Sequence, residues 1–105
     1  MKAGSGAGTL TIVATPLGNA ADLSPRAAAA LREADVIVAE VTTPSLGVGY
    51  ELGRCVAWGK RIVCLHRPSD SRRLSGMIAG SPGLRVISYA AVGDLPAIFD
   101  ELFAQ

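Results

Sequence analysis

The sequence is poor in the residues that build metal and redox centres. It has one histidine, His66, and two cysteines, Cys55 and Cys64, among 105 residues. The cysteines fall in a helix pattern and a strand pattern, with no CxxC and no His or Asp at a spacing suited to a metal. They read as core thiols of a reducing, cytoplasmic compartment, and neither a metal nor a cofactor is called for. An excess of charge of one sign is also lacking. Lys and Arg number 10 against 9 Asp and Glu, and they are scattered, so no footprint exists for a nucleic-acid polymer or a membrane surface. No apolar run approaches the ~20 residues of a membrane span. The opening MKAGSGAG lacks the apolar stretch of a signal peptide and reads as a flexible leader, residues 1 to 8. With no internal repeat and no linker, residues 9 to 105 read as a single domain. Half the residues are apolar and 18% are charged, which excludes disorder. A chain of this size buries roughly two thirds of its unfolded surface, enough for a core without disulfides.

What is present is an alternation of short apolar runs and helical patterns. Strands are predicted at Thr9 to Ala14, Asp35 to Val41, Arg61 to Leu65 and Leu84 to Tyr89. Ser24 followed by Pro25 is an N-cap with proline at N1, opening an alanine-rich helix to Ala34. Val48, Leu52, Cys55 and Val56 recur at helical spacing over residues 48 to 58, and Gly59 supplies a stop. A short helix carries Leu74, Met77 and Ile78 and is closed by GSPG at residues 80 to 83. A last helix runs from Pro96 through Phe103, with Ile98, Phe99, Leu102 and Phe103 as its buried stripe. Such β-α units imply an α/β fold with a four-stranded parallel sheet, flavodoxin-like or Rossmann-like, with ligands at the carboxyl ends of the strands.

VIVA (36 to 39) and IVCL (62 to 65) are apolar on both faces, whereas TLTI (9 to 12) and LRVIS (84 to 88) alternate with polar residues. The first pair is expected to be central and the second to form the edges, in linear order. Right-handed crossovers through adjacent strands then place every helix on one face. The other face would be bare, and a homodimer that covers it is the expected remedy.

PSLGVGYELGR, residues 44 to 54, is the stretch that invites a chemical reading. Three glycines in so short a run are costly to order, and the run ends near a carboxylate, Glu51. Backbone amides at a helix start suit a small anionic ligand. A plain strand-to-helix turn, with Glu51 as an ordinary first-turn acid, is the other reading of the same residues.

Two resemblances bear on this choice. From Ala34 to about Phe103, ADVIVAEVTTPSLGVGYELGRCVAWGKRIVCLHRPSDSRRLSGMI resembles the C-terminal two thirds of the 2'-deoxynucleoside 5'-phosphate N-hydrolases, relatives of the nucleoside 2-deoxyribosyltransferases. From Gly8 to about Glu40, GTLTIVATPLGNAADLSPRAAAALREADVIVAE resembles the N-terminus of the ribosomal RNA 2'-O-ribose methyltransferases of the tetrapyrrole methylase superfamily. The two overlap at ADVIVAE, so the chain reads as a chimera joined at a shared strand, more consistent with engineering than with natural descent. The hydrolase resemblance implies that Glu51 is the nucleophile that attacks C1' of a deoxyribose and expels the base, leaving a glycosyl ester for water to cleave. It implies that Ser45, Gly47 and Gly49 cradle the 5'-phosphate, that Ser75 adds a contact from the partner subunit of a homodimer, and that the ligand is a deoxynucleoside 5'-monophosphate or a phosphate ion.

The same resemblance shows what is missing. The family's first strand leads to a glycine-rich loop with a tyrosine and an arginine, where this chain has ATPLGN. An aspartate that handles the leaving base is replaced by Ala27, and the family's second β-α unit is deleted. Activity is therefore expected to be weak or lost. The methylase half implies no S-adenosylmethionine site, and Gly18 and Asn19 read as turn residues. Glu40 reads as a second carboxylate at a strand end or as a solvated acid, His66 as a strand-end packing residue, and Trp58 as cover for core or interface.

Overall fold

The computed structural model describes residues 24–71 and 73–104. The first helix, α1 (Pro25–Glu33), begins where Ser24 caps it: the serine Oγ accepts from the Ala27 amide at 3.1 Å, and Pro25 occupies N1. Strand β1 (Val36–Glu40) follows, then α2 (Leu46–Ala57) and strand β2 (Arg61–His66). The short α3 (Gly76–Ala79), strand β3 (Arg85–Ser88), a 3-10 turn at Val92–Asp94 and α4 (Leu95–Phe103) complete the described chain.

The end of α2 shows how local sequence sets these boundaries. Gly59 adopts φ 73°, its amide donates to the Val56 carbonyl, and the Lys60 amide donates to that of Cys55, both at 3.0 Å. This is a Schellman closure, which needs a left-handed residue that glycine supplies without a Cβ penalty. The start of α2 departs from expectation. The glycine pattern suggested a helix from residue 48, but Ser45 is the N-cap and the helix takes in Gly47 and Gly49. Weak helix propensity costs about 1 kcal/mol per glycine, less than a good cap and a packed apolar face return.

The three strands pair in parallel in the order β1-β2-β3, with Ile37 opposite Ile62 and Cys64 opposite Val86. Four strands were expected, and the described sheet has three; the first expected strand, residues 9 to 14, lies outside the described residues. Arg61–His66 is central as expected, and Arg85–Ser88 is an edge. Val36–Glu40 was expected to be central; it pairs with β2, and its expected second partner, residues 9 to 14, is not among the described residues.

The expectation of a bare second face is overturned. Alternation along β2 sends Ile62 and Cys64 into one core with Leu31, Ile37, Val41, Leu52 and Cys55, covered by α1, α2 and α3. Val63 and Leu65 point the other way, into a second core with Leu102, Leu95, Ile98 and Phe99 of α4. The crossover rule binds only helices that join two parallel strands, and α2 and α3 obey it by sharing a face. Helix α4 follows β3 and links no two of the described strands, so the rule does not tie it to the face of α2 and α3. Its last turn is held there by Arg61, whose guanidinium donates to the Leu102 carbonyl at 3.2 Å, a cation at a helix C-terminus. The argument for a dimer from a bare sheet face loses its basis.

Leu102 is 1% exposed and anchors α4 on Val63 and Leu65. Leu102→Ala is expected to cost about 2 to 5 kcal/mol, read as a lower urea midpoint at unchanged slope. An unchanged midpoint would show that α4 does not seal the second face.

Candidate functional site

The carboxyl edge of the sheet is where β1 hands the chain to α2 and β2 hands it to α3. Because α2 and α3 lie on the same face, both amino ends arrive at this edge. Ser45 caps α2, its Oγ accepting from the Val48 amide at 3.2 Å; Ser75 caps α3, accepting from the Met77 amide at 3.2 Å. Between the two helices lies a cavity of about 590 Å³ whose walls include Ser45, Gly49, Gly53, Ser75, Ile78 and Leu84. A volume in this range accommodates a small organic ligand.

The structure thus brings Ser45, Gly49 and Ser75 together, and one chain supplies both serines. It does not bring all five candidate residues to one place. Gly47 and Glu51 are not among the cavity walls. The Gly49 amide is consumed inside the helix, donating to the Ser45 carbonyl at 3.0 Å, so it cannot serve an anion as expected. The amides of Leu46 and Gly47 precede the first intrahelical acceptor and remain at the open end. Glu51 lies in the second turn of α2 rather than the first, because the helix starts earlier than its glycines suggested. The dipole fades within the first turn, so its hold on Glu51 is weaker than anticipated. Glu51 is half-buried, with Oε2 shielded from solvent, and its charge helps to push the Cys55 thiol upward, after burial as the main cause.

A second group of polar side chains occupies the same edge. The Glu40 carboxylate accepts three hydrogen bonds: from the Thr42 amide at 2.8 Å, from the Thr42 hydroxyl at 2.7 Å and from the Tyr89 hydroxyl. Thr42 Oγ1 in turn accepts from the Arg67 amide at 2.9 Å. Burial pushes the Glu40 carboxyl upward, but the bonds from Tyr89 and Thr42, with an electrostatic contribution from His66, outweigh it and hold the group below its ordinary value. The Tyr89 phenol is raised, first by its bond to Glu40 and then by burial and the carboxylate charge. Glu40 is therefore no idle solvated acid. Tyr89 escaped sequence reasoning as a site residue, and its only signal was an aromatic residue at the last position of an expected strand. His66 is 5% exposed, as a packing residue should be, and its Nε2 has no hydrogen-bond partner among the described residues. Trp58 covers core as expected, with the guanidiniums of Arg32 and Arg54 at 4.6 and 4.9 Å from its ring centre.

Both cysteines are free and buried. Among the described residues no group of His, Cys, Asp and Glu could hold a metal ion, and no helix is long and apolar enough to cross a membrane.

Comparison with known proteins adds names to this geometry. No family model matches the chain. It is 67% identical over 51 residues to the 5-hydroxymethyl-dUMP N-hydrolase of Branchiostoma floridae, covering 49% of this chain and 49% of that protein. The Homo sapiens protein of the same name is 54% identical over 76 residues, covering 70% of this chain and 43% of that protein. The Mus musculus protein is 71% identical over 51 residues, 49% of this chain and 30% of its own. The resemblance to nucleotide N-hydrolases is thus borne out over a large part of the chain. The chain spans less than half the length of these relatives. None of the three is a methyltransferase, and the first half of the stretch behind that second resemblance, residues 8 to 23, lies outside the described ones.

The lowered Glu40 group has a consequence for acid stability. A depressed folded value means that its stabilisation is present above the ordinary carboxylate range and is lost as pH falls through the folded value. Glu40→Gln is expected to flatten the decline of the urea midpoint between about pH 7 and pH 3. An acid limb as steep as that of the wild type would show that Glu40 is not held by Tyr89 and Thr42.

Proposed function

We propose that this chain carries the phosphate-binding and nucleophile portion of an N-glycosidase site for deoxynucleoside 5'-monophosphates. The observation that carries this reading is the opening of two helix-capping serines, Ser45 and Ser75, with the amino end of α2, onto one cavity of about 590 Å³. Amides without intrahelical acceptors and hydroxyls that retain a donor are what a phosphate monoester requires. The names of the relatives supply the rest of the substrate, a pyrimidine deoxynucleotide.

In this reading a Glu51 oxygen attacks C1', the bond from C1' to the base nitrogen breaks, and the electron pair leaves with the base, which takes a proton from solvent. Water then attacks C1' of the ester, releasing the sugar phosphate and restoring the carboxylate. The role of Glu51 rests on the resemblance. Turnover is slow here, because Ala27 offers no acid for the leaving base.

Base release from 5-hydroxymethyl-dUMP, followed by chromatography, is the test. Glu51→Ala is expected to lower it by on the order of a thousandfold or more while the melting temperature stays put. Equal release by the variant would move the chemistry elsewhere. A second reading, nucleotide binding without turnover, is favoured by the position of Glu51 outside the cavity walls. Calorimetric binding with no base released would select it.

We further propose a homodimer across the α2 and α3 face. Leu46 and Met77, at the rim of the cavity, are 96% and 85% exposed, and Gly49 and Gly53 leave the helix backbone beside them open to close approach. Sedimentation of the wild type is expected to show a dimer at micromolar concentration and Met77→Asp a monomer. A wild type that is monomeric throughout would overturn this assembly.

A further inference from the structure

The turn from residue 41 to residue 44 has no regular structure, yet it sets where the amino end of α2 stands over the sheet. Its first residue is tied by main chain, the Val41 amide donating to the Leu65 carbonyl at 2.9 Å. Its second, Thr42, is held by three hydrogen bonds. The amide and hydroxyl donate to the two oxygens of Glu40, and the hydroxyl oxygen accepts from the Arg67 amide. The carboxylate that grips Thr42 is itself fixed from the far side of the sheet, where the Tyr89 hydroxyl donates to Oε2, the same oxygen that receives the Thr42 hydroxyl.

Tyr89 is fixed in turn. Its amide donates to the His66 carbonyl at 3.0 Å, continuing the parallel ladder one step past β3, and its ring packs on the core that α4 seals. The chain of contacts therefore runs from β3 through β2 to the end of β1 and on to the turn before Ser45. Of the titratable groups at the end of β2, His66 acts on the carboxylate and Arg67 on the Tyr89 phenol, and no second acid acts on either.

We infer that Tyr89 is a positioning residue for the anion-binding end of α2, acting through Glu40 and Thr42. This rests on the phosphate-binding reading above and extends it to residues that touch no part of the cavity. With the Tyr89 hydroxyl gone, Glu40 can swing toward solvent, Thr42 loses its anchor, and the amides of Leu46 and Gly47 with the Ser45 hydroxyl no longer hold one direction. The rest of a nucleotide meets groups elsewhere, so the loss should fall on the phosphate.

The experiment is calorimetric titration of the full chain with 5-hydroxymethyl-dUMP and, separately, with its unphosphorylated nucleoside. In Tyr89→Phe the preference for the nucleotide is expected to fall by about tenfold, the equivalent of one hydrogen bond to a charged group, with nucleoside affinity unchanged. Thr42→Ala should match it, Thr42→Ser should restore the preference, and the double variant should lose little more than either single one, since both act through one carboxylate. A purely structural role for Tyr89 would lower both affinities alike or only the melting temperature. A wild type that prefers the nucleotide and a Tyr89→Phe variant that keeps the preference would overturn the inference alone. A wild type that binds neither ligand would overturn the phosphate-binding reading and this inference together.

Discussion

Everything in this molecule is arranged around one strand that water does not reach. From Ile62 to His66, β2 is buried without interruption, and its side chains alternate between two cores. A strand buried on both faces needs cover on both, which the connecting helices can give to only one. The placement of α4 follows from that need. So does the location of polar chemistry, because a strand with no room for polar side chains along its length pushes them to its end. His66, Glu40 and Tyr89 gather at the carboxyl edge, and the main-chain groups that finish the ladder there are the ones that position them.

The same constraint explains why two serines meet. Helices that link adjacent parallel strands run back along one face, so α2 and α3 begin side by side at the same edge. Each beginning needs a cap, and Ser45 and Ser75 are those caps. A pair of caps that is necessary for local reasons becomes a pair of hydroxyls around one cavity without further design. What such a site still requires is a way to fix the helix end with more accuracy than a free turn permits, and the Glu40 network supplies it.

Much of this was legible in the residues. The capped and proline-started α1, the glycine stop after α2, the apolar runs of β1 and β2 and the role of Trp58 as cover all follow from nearest-neighbour chemistry. Local reasoning failed where the decision was made at a distance. Gly47 and Gly49 suggested a loop, but the Ser45 cap and the packing of Val48, Leu52 and Cys55 carry them into the helix. The face chosen by α4 depends on which strand needs cover, not on the sequence of α4. The bond from Tyr89 to Glu40 joins residues 49 apart, and no pattern in either neighbourhood announces it.

The glycines of α2 can now be weighed. Gly83, which lies outside α2 before β3, is explained by α2, since a Cβ there would meet Val56 Cγ1 at 3.2 Å. Gly49 and Gly53 are not, because a Cβ at either would meet nothing within 4 Å. Each costs about 1 kcal/mol relative to alanine inside a helix, against a total stability of about 5 to 15 kcal/mol for a small domain. Packing in a single chain returns none of that. Both residues face the cavity, one and two turns from the Ser45 cap. A helix that sacrifices stability along one line, next to its own amino end, keeps its backbone accessible to something outside the chain, and a ligand or a second helix seated in that cavity is what would offset the cost.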